Sequence, residues 1–296
     1  MNSVKQRKFI PGDEWIYFKI YGGPDTVESI LILELNEIIR SLLDQEIIDL
    51  FFFIRYADPD NHLRIRFHVR DLANITIVIQ IINQSLRKFI DSRHIWSLQL
   101  DTYSREIERY GSDIITEIET IFSYNSIAIL SFLKSINQEE SLRWMWGLKT
   151  IDLLLDEFGY LIEDKISLFE KLNKNYHAEF KVDTFMSKQI DQKYRNEIIN
   201  IRETIESQNI NIFSQEFKYI VWFIKQSKES IFKIINYYKS GAPSKSLDEV
   251  LASVIHMHFN RLFRSRQRMQ ELVIYHFLHK YYVSKLARNC IKMANS

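Results

Sequence analysis

Arg64 and Arg66 stand two residues apart in Phe51–Phe67, Phe-Phe-Phe-Ile-Arg-Tyr-Ala-Asp-Pro-Asp-Asn-His-Leu-Arg-Ile-Arg-Phe. The stretch reads as two β-strands joined by a tight Asp-Pro-Asp-Asn turn. Strand side chains alternate between faces, so Arg64 and Arg66 share one face, and Leu63, Ile65 and Phe67 take the other. Arg55 lies on the first strand. Adjacent guanidiniums repel, and an arginine fixed on a sheet needs a partner. Two readings follow. The pair grips an anion with forked hydrogen bonds, or each arginine meets a structural carboxylate elsewhere in the fold. The stretch by itself leaves both open.

The elements that must hold these side chains follow a legible order. Trp15–Tyr21 is aromatic and β-branched and ends at Gly22-Gly23-Pro24, as a strand does. Leu and Ile recur at helical spacing from Asp25 to about Leu43, and again from Arg70 to about Arg93. Ile95–Tyr103 alternates as a fourth strand. The order β-α-β-β-α-β predicts an α+β fold with a split antiparallel sheet. Beyond Tyr103 the pattern is helical: Glu106–Asn125, Ser126–Ser135, Glu139–Phe158, Ser167–Leu172, a polar segment near Val182–Ser207, Ser214–Lys239, Leu247–Phe263 and Arg266–Cys290. A sheet-containing half, 1–105, and a larger, mostly helical half, 106–296, are therefore expected, with the site at their junction.

Composition narrows the chemistry. The 296 residues are 46% hydrophobic and 14% aromatic, enough for a full-sized core. Lysine and arginine (39) balance aspartate and glutamate (38), so no broad nucleic-acid or anionic-membrane surface is expected. With 7 glycines and no Gly-x-Gly-x-x-Gly or Walker-type run, a phosphate-cradling loop has no support. The single cysteine, Cys290, can form neither an internal disulfide nor a thiolate cluster, and is expected packed or lightly exposed. The first residues lack the apolar run of a signal peptide, and no apolar stretch is long enough to span a bilayer. A cytoplasmic protein is expected. His256 and His258, or His276 and His279, lack the spacing and acidic partners of a metal site, so neither metal nor cofactor is expected. Trp144-Met145-Trp146 beside Arg143 reads first as helix packing and second as a wall contacting a peptide.

Four motifs then act together. They are Phe9-Ile10-Pro11-Gly12-Asp13-Glu14-Trp15, the Phe53–Phe67 hairpin with His62-Leu63-Arg64-Ile65-Arg66, Tyr103-Ser104-Arg105-Glu106-Ile107-Glu108-Arg109-Tyr110-Gly111, and Ser253-Val254-Ile255-His256-Met257 with Asn260-Arg261-Leu262. In order and spacing they resemble the C-terminal elimination domain of class I lanthipeptide dehydratases, which also occurs free-standing among thiopeptide-type bacteriocin biosynthesis proteins. The resemblance spans nearly the whole chain. It implies a lyase that expels glutamate from glutamylated Ser or Thr of a ribosomal precursor peptide, leaving dehydroalanine or dehydrobutyrine. A separate glutamylation protein, dependent on glutamyl-tRNA, would be the partner, with no direct contact to nucleic acid here. Homodimers are common in such families.

The resemblance also implies roles. Arg64 and Arg66 would hold the glutamyl group and the enolate oxygen. Glu106 and Arg109 share a helix face. Arg109 would be a further anion ligand and Glu106 its orienter or a proton carrier; the plain alternative is a surface ion pair. His256 would be the acid/base, protonating the leaving carboxylate or taking the Cα proton. Arg55, Arg105, Asn260 and Arg261 would help bind substrate, and His258 is read as structural. Gly111-Ser112 and Asn125-Ser126 depart from the Gly-Gly and Asp-Ser that the resemblance leads one to expect. Two other functions stay open: a pyridine-forming cycloaddition of the thiopeptide kind, and a non-catalytic partner that binds the precursor peptide.

Overall fold

The computed structural model describes residues 5–137, 139–206, 216–241 and 243–294. In chain order the elements are β1 (Lys8–Phe9), β2 (Trp15–Gly22), α1 (Pro24–Ile30), a π-helical segment (Leu31–Leu35), α2 (Asn36–Asp44), β3 (Leu50–Tyr56), β4 (His62–His68), α3 (Asn74–Asp91), β5 (Ile95–Leu100) and β6 (Tyr103–Ser104). There follow α4 (Ile107–Tyr110), α5 (Ile115–Ser135), α6 (Ser141–Glu157), α7 (Ile162–Glu179), α8 (Thr184–Glu206), α9 (Lys218–Lys239), α10 (Leu247–Leu262) and α11 (Gln267–Ala294).

The main sheet is antiparallel with strand order β3-β4-β2-β5, the split β-α-β-β-α-β arrangement expected from the alternation. The fold is a mixed α/β one in which this small sheet packs against helices. Several boundaries differ from the expectation. The fourth strand stops at Leu100, and Tyr103–Ser104 turns away to pair with β1 as a separate ribbon. The expected helix break at Asn125-Ser126 is absent: α5 runs unbroken from Ile115 to Ser135, and Ser126 Oγ bonds back to the Phe122 carbonyl at 2.7 Å. The break falls instead at Gly111, whose φ of +88° belongs to a region that only glycine enters at ease. The segment Ser167–Leu172 is the middle of the longer α7, and the polar segment near Val182–Ser207 is the regular helix α8. Residues 214 and 215 of the helix expected from Ser214 lie outside the described residues. Cys290 is exposed.

The chain divides into two compact units, Met1–Gln138 with Lys225–Ser265, and Glu139–Ile224 with Arg266–Ser296. In the first, β3 packs on α5 and α10, and α10 also meets α4. The start of α10 is fixed by a reciprocal cap. Glu249 N–H donates to Ser246 Oγ (3.3 Å), and Ser246 N–H donates to the Glu249 carboxylate (2.9 Å). In the second unit α11 packs on α6, α7 and α8. Trp146 and Arg143 are fully buried there, as the packing reading of that run requires. No described helix is long and apolar enough to cross a membrane.

Candidate active site

Strand register decides what surrounds the two arginines. Arg66 stands opposite Tyr17 on β2 and Phe52 on β3, and Arg64 opposite Lys19 and Ile54. His62 stands opposite Tyr21 and Tyr56, so all of these side chains share one sheet face. The Arg66 guanidinium lies 4.5 Å from the Tyr17 ring centroid, 4.7 Å from Tyr103 and 5.1 Å from Phe52. It is thus boxed by three aromatic faces, which attract a cation but accept no conventional hydrogen bond. Arg66 is only 7% exposed. Among the described residues it has no carboxylate within ion-pair distance, and its Nε is buried without a hydrogen-bond partner. Burial pulls its pKa below the ordinary arginine value, with Tyr103 and Tyr17 opposing the shift. A buried guanidinium left in this state costs stability. The arrangement has a chemical purpose if an anion arrives from outside.

A cleft opens beside it, with about 390 Å³ of space including its solvent mouth. Arg66, Phe52, Tyr103, Glu106, Tyr110 and Met257 help line it. Glu106, at the start of α4, receives a hydrogen bond from Arg109 at 3.0 Å, and both side chains are well exposed to solvent. The structure therefore brings Arg66 and Glu106 to one cavity, with Arg109 one step behind Glu106. His256 is half-buried on α10, next to the cavity-lining Met257 and on the helix that packs against α4. Arg64 lies over the Tyr56 ring, 3.5 Å from its centroid, and its Nε donates to His62 Nε2 at 3.0 Å. Lys19, its cross-strand neighbour, is ion-paired with Asp101. The hydrogen bond from Lys19 is the main cause holding the Asp101 carboxyl below its usual range.

The other residues expected at the site have partners within the fold. Arg55 projects to the opposite face of the sheet. There its Nη2 meets Glu28 of α1 at 2.5 Å, and its Nε donates to the Arg261 carbonyl at 3.2 Å. Arg105 points at Glu119 of α5 with two parallel bonds of 2.7 and 2.6 Å, while Tyr103 Oη donates to the same carboxylate at 2.7 Å. Burial alone would lower the pKa of Arg105; the hydrogen bond and charge of Glu119 overcome that and raise it.

Asn260 and Arg261 belong to a set of side chains that close the outer edge of β3. The main-chain N–H of Phe51 donates to Ser123 Oγ (3.1 Å) and that of Phe53 to Ser126 Oγ (3.3 Å). Arg261 Nε donates to the Phe53 carbonyl (2.8 Å). Asn260 takes the Arg55 N–H on Oδ1 (2.8 Å) and gives Nδ2 to the Arg55 carbonyl (2.9 Å). Helices α5 and α10 thus replace a missing strand with side chains, which satisfies an edge that would otherwise solicit another chain. Arg261 is fully buried over Phe122, and burial pushes its pKa down to about 9. Asn125 links the same set, accepting from Arg261 at 3.4 Å and meeting His258 Nδ1 at 2.9 Å. An aspartate at that position would add a charge; the amide joins the two groups without one. Burial pushes the His258 pKa down to about 3, so this ring is neutral near pH 7. Asn260→Ala strips two main-chain partners and is expected to cost about 2–3 kcal/mol, read as a lowered urea midpoint at unchanged m-value.

Sequence reasoning did not find Tyr17, Phe52 or the serines Ser123 and Ser126. Tyr17 and Phe52 were detectable only once the register opposite Arg66 was known.

Comparison with known proteins finds similarity along nearly the whole chain. The family described as "Lantibiotic biosynthesis dehydratase C-term" matches residues 15–282. The nisin biosynthesis protein NisB of Lactococcus lactis subsp. lactis is 28% identical over 292 residues, 96% of this chain and 27% of that protein. The subtilin biosynthesis protein SpaB of Bacillus subtilis is 23% identical over 291 residues, again 96% of this chain and 27% of that protein. The chain thus spans about a quarter of the length of these curated relatives. Among solved structures, the tRNA-dependent lantibiotic dehydratase MibB from Microbispora sp. 107891 superposes with a TM-score of 0.73 at 18% identity, over 97% of this chain and 29% of that one. The pyridine synthase TbtD from thiomuracin biosynthesis superposes with a TM-score of 0.66 at 11% identity, over 92% of this chain and 98% of that one. At these identities the superpositions establish the fold.

Proposed function

Because the chain belongs to the family of lantibiotic biosynthesis dehydratase C-terminal domains, we propose that it expels glutamate from glutamylated Ser or Thr in a ribosomally made peptide. One observation carries the reading: Arg66 is a buried guanidinium without a carboxylate partner, facing a cleft that Glu106 also lines. The reaction removes the Cα proton, forms the Cα–Cβ double bond and breaks the Cβ–O bond, so that glutamate leaves as a carboxylate. Arg66 and Arg64 hold the glutamyl carboxylate and the oxygen on which enolate charge develops. In so dry a setting a fixed cation stabilises that charge far better than water would. Arg109, oriented by Glu106, adds a positive charge at the mouth. His256 moves the proton, since an imidazole can both take and give one within a catalytic cycle. The work is divided between the sheet, which brings the arginines, and the helices after residue 105, which bring Glu106, Arg109 and His256. Glutamylation is supplied by a partner protein acting from glutamyl-tRNA, in the cytoplasm, and the protein can act as a homodimer.

Purified protein given a synthetic glutamyl-Ser peptide is expected to release free glutamate and leave a dehydroalanine product, read by mass spectrometry. His256→Ala is expected to leave the glutamyl adduct in place, slowed about 10²- to 10⁴-fold. A second reading, pyridine-forming cycloaddition, has in its favour the superposition along 98% of the length of the pyridine synthase. An inert glutamyl-Ser peptide together with cyclisation of a bis-dehydroalanine peptide would decide for it.

A further inference from the structure

We propose that His62 is a positioning residue for the proposed elimination. In its Nδ1–H tautomer it takes the Nε–H of Arg64 and so commits the terminal edge of that guanidinium to the substrate's carboxylate. The tautomer is dictated from both sides. Nδ1 lies 2.8 Å from the Asp60 carbonyl oxygen, which only accepts, so Nδ1 carries the proton. Nε2 lies 3.0 Å from Arg64 Nε, which only donates, so Nε2 offers its lone pair. The ring cannot drift, because it stacks on Tyr21 at 4.5 Å, meets Tyr56 at 5.4 Å and is 2% exposed. Arg64 is thereby held on one face by Tyr56 and at Nε by His62. Among the described residues no acceptor lies within hydrogen-bond distance of its Nη1 or Nη2. Those two nitrogens form the edge that fits a carboxylate in a planar, paired manner.

The charges around the ring keep it in that state. Burial is the largest influence and disfavours imidazolium; Arg64 on the same strand and Lys19 on β2 add to it, while the Asp60 carbonyl and Asp58 oppose it. Protonation would turn Nε2 into a donor facing a donor, and Arg64 would lose its anchor.

This inference rests on the glutamyl-elimination reading, so the test separates binding from turnover. The probe is a peptide carrying glutamate in amide linkage to 2,3-diaminopropionate, which binds as the ester would but does not eliminate. His62→Phe keeps a stacking ring and removes the acceptor. His62→Gln keeps an acceptor near the Nε2 position and cannot titrate. Calorimetry is expected to show the probe bound about 10- to 100-fold more weakly by His62→Phe and close to the parent value by His62→Gln. Acidification below histidine's ordinary range weakens the parent more than His62→Gln. Nitrogen-15 shifts of the His62 ring are expected to report the Nδ1–H form at neutral pH. Equal affinity in all three proteins, or an Nε2–H ring, overturns the role of His62. If the affinities separate as expected but the ester peptide is never turned over, the elimination reading falls alone. A parent that does not bind the probe overturns both.

Discussion

Arg66→Met is expected to abolish glutamate release, by about 10²–10³-fold or more, in a protein whose melting temperature is unchanged or raised. The two effects have one cause. The guanidinium is desolvated and, among the described residues, has no carboxylate to compensate it. The three aromatic rings around it return part of that cost, and a thioether of similar volume packs against the same rings without any charge to desolvate. A group that costs the resting fold stability fits a role that begins when the substrate binds. Arg66→Lys keeps the charge and loses the fork, so intermediate activity is expected. Thermal scanning and the glutamate-release assay on the same preparations check both halves. Turnover like the parent's would remove Arg66 from the site, and a large loss of stability would make it structural.

Arg105→Ala should behave in the opposite way, with a stability loss of about 3–5 kcal/mol. Its paired bonds to Glu119 are nearly inaccessible to water, with side chains 9% and 2% exposed, and Tyr103 Oη shares that carboxylate. Truncation leaves a buried carboxylate with only the tyrosine to answer it. The double variant Arg105→Met with Glu119→Leu is expected to recover much of the loss, because both charges leave together. Urea unfolding of the two single variants and the double gives the coupling directly. Additive single losses would show that the pair does not act as a unit.

Arg66 and Arg105 illustrate which features the sequence displays. Strict alternation along His62–Phe67 shows that Arg64 and Arg66 share a face, and that relation needs no long-range information. The β-α-β-β-α-β order is legible for the same reason, since each element announces its own period. Which carboxylates meet which arginines is a different matter. Arg55 pairs in register with Leu63 rather than with a polar neighbour, and its partner Glu28 lies on a helix 27 residues away. Arg105 finds Glu119 only because the chain turns at Gly111 before α5 begins. The amide of Asn260 clamps a main-chain group 205 residues earlier. No local pattern encodes these distances. Residue type alone does not reveal that Arg55, Arg105, Asn260 and Arg261 each have partners within the fold, on α1, α5 and β3.

The π-helical segment Leu31–Leu35 was equally invisible, for it falls inside a continuous Leu/Ile pattern. The histidines were more tractable. His258 is buried against Asn125 and reads as structural from either direction. His256, two residues earlier, shares a helix stripe with Asn260, so the clamp on β3 also sets where that stripe of α10 lies.

The most direct measurement is a crystal structure of the protein with the amide-linked glutamyl peptide. The free carboxylate of the glutamyl group is expected within about 2.7–3.0 Å of guanidinium nitrogens of Arg66 or Arg64, with the peptide entering past Glu106. A peptide seated elsewhere, with Arg66 still boxed by Tyr17, Phe52 and Tyr103 and touching no anion, would contradict the account.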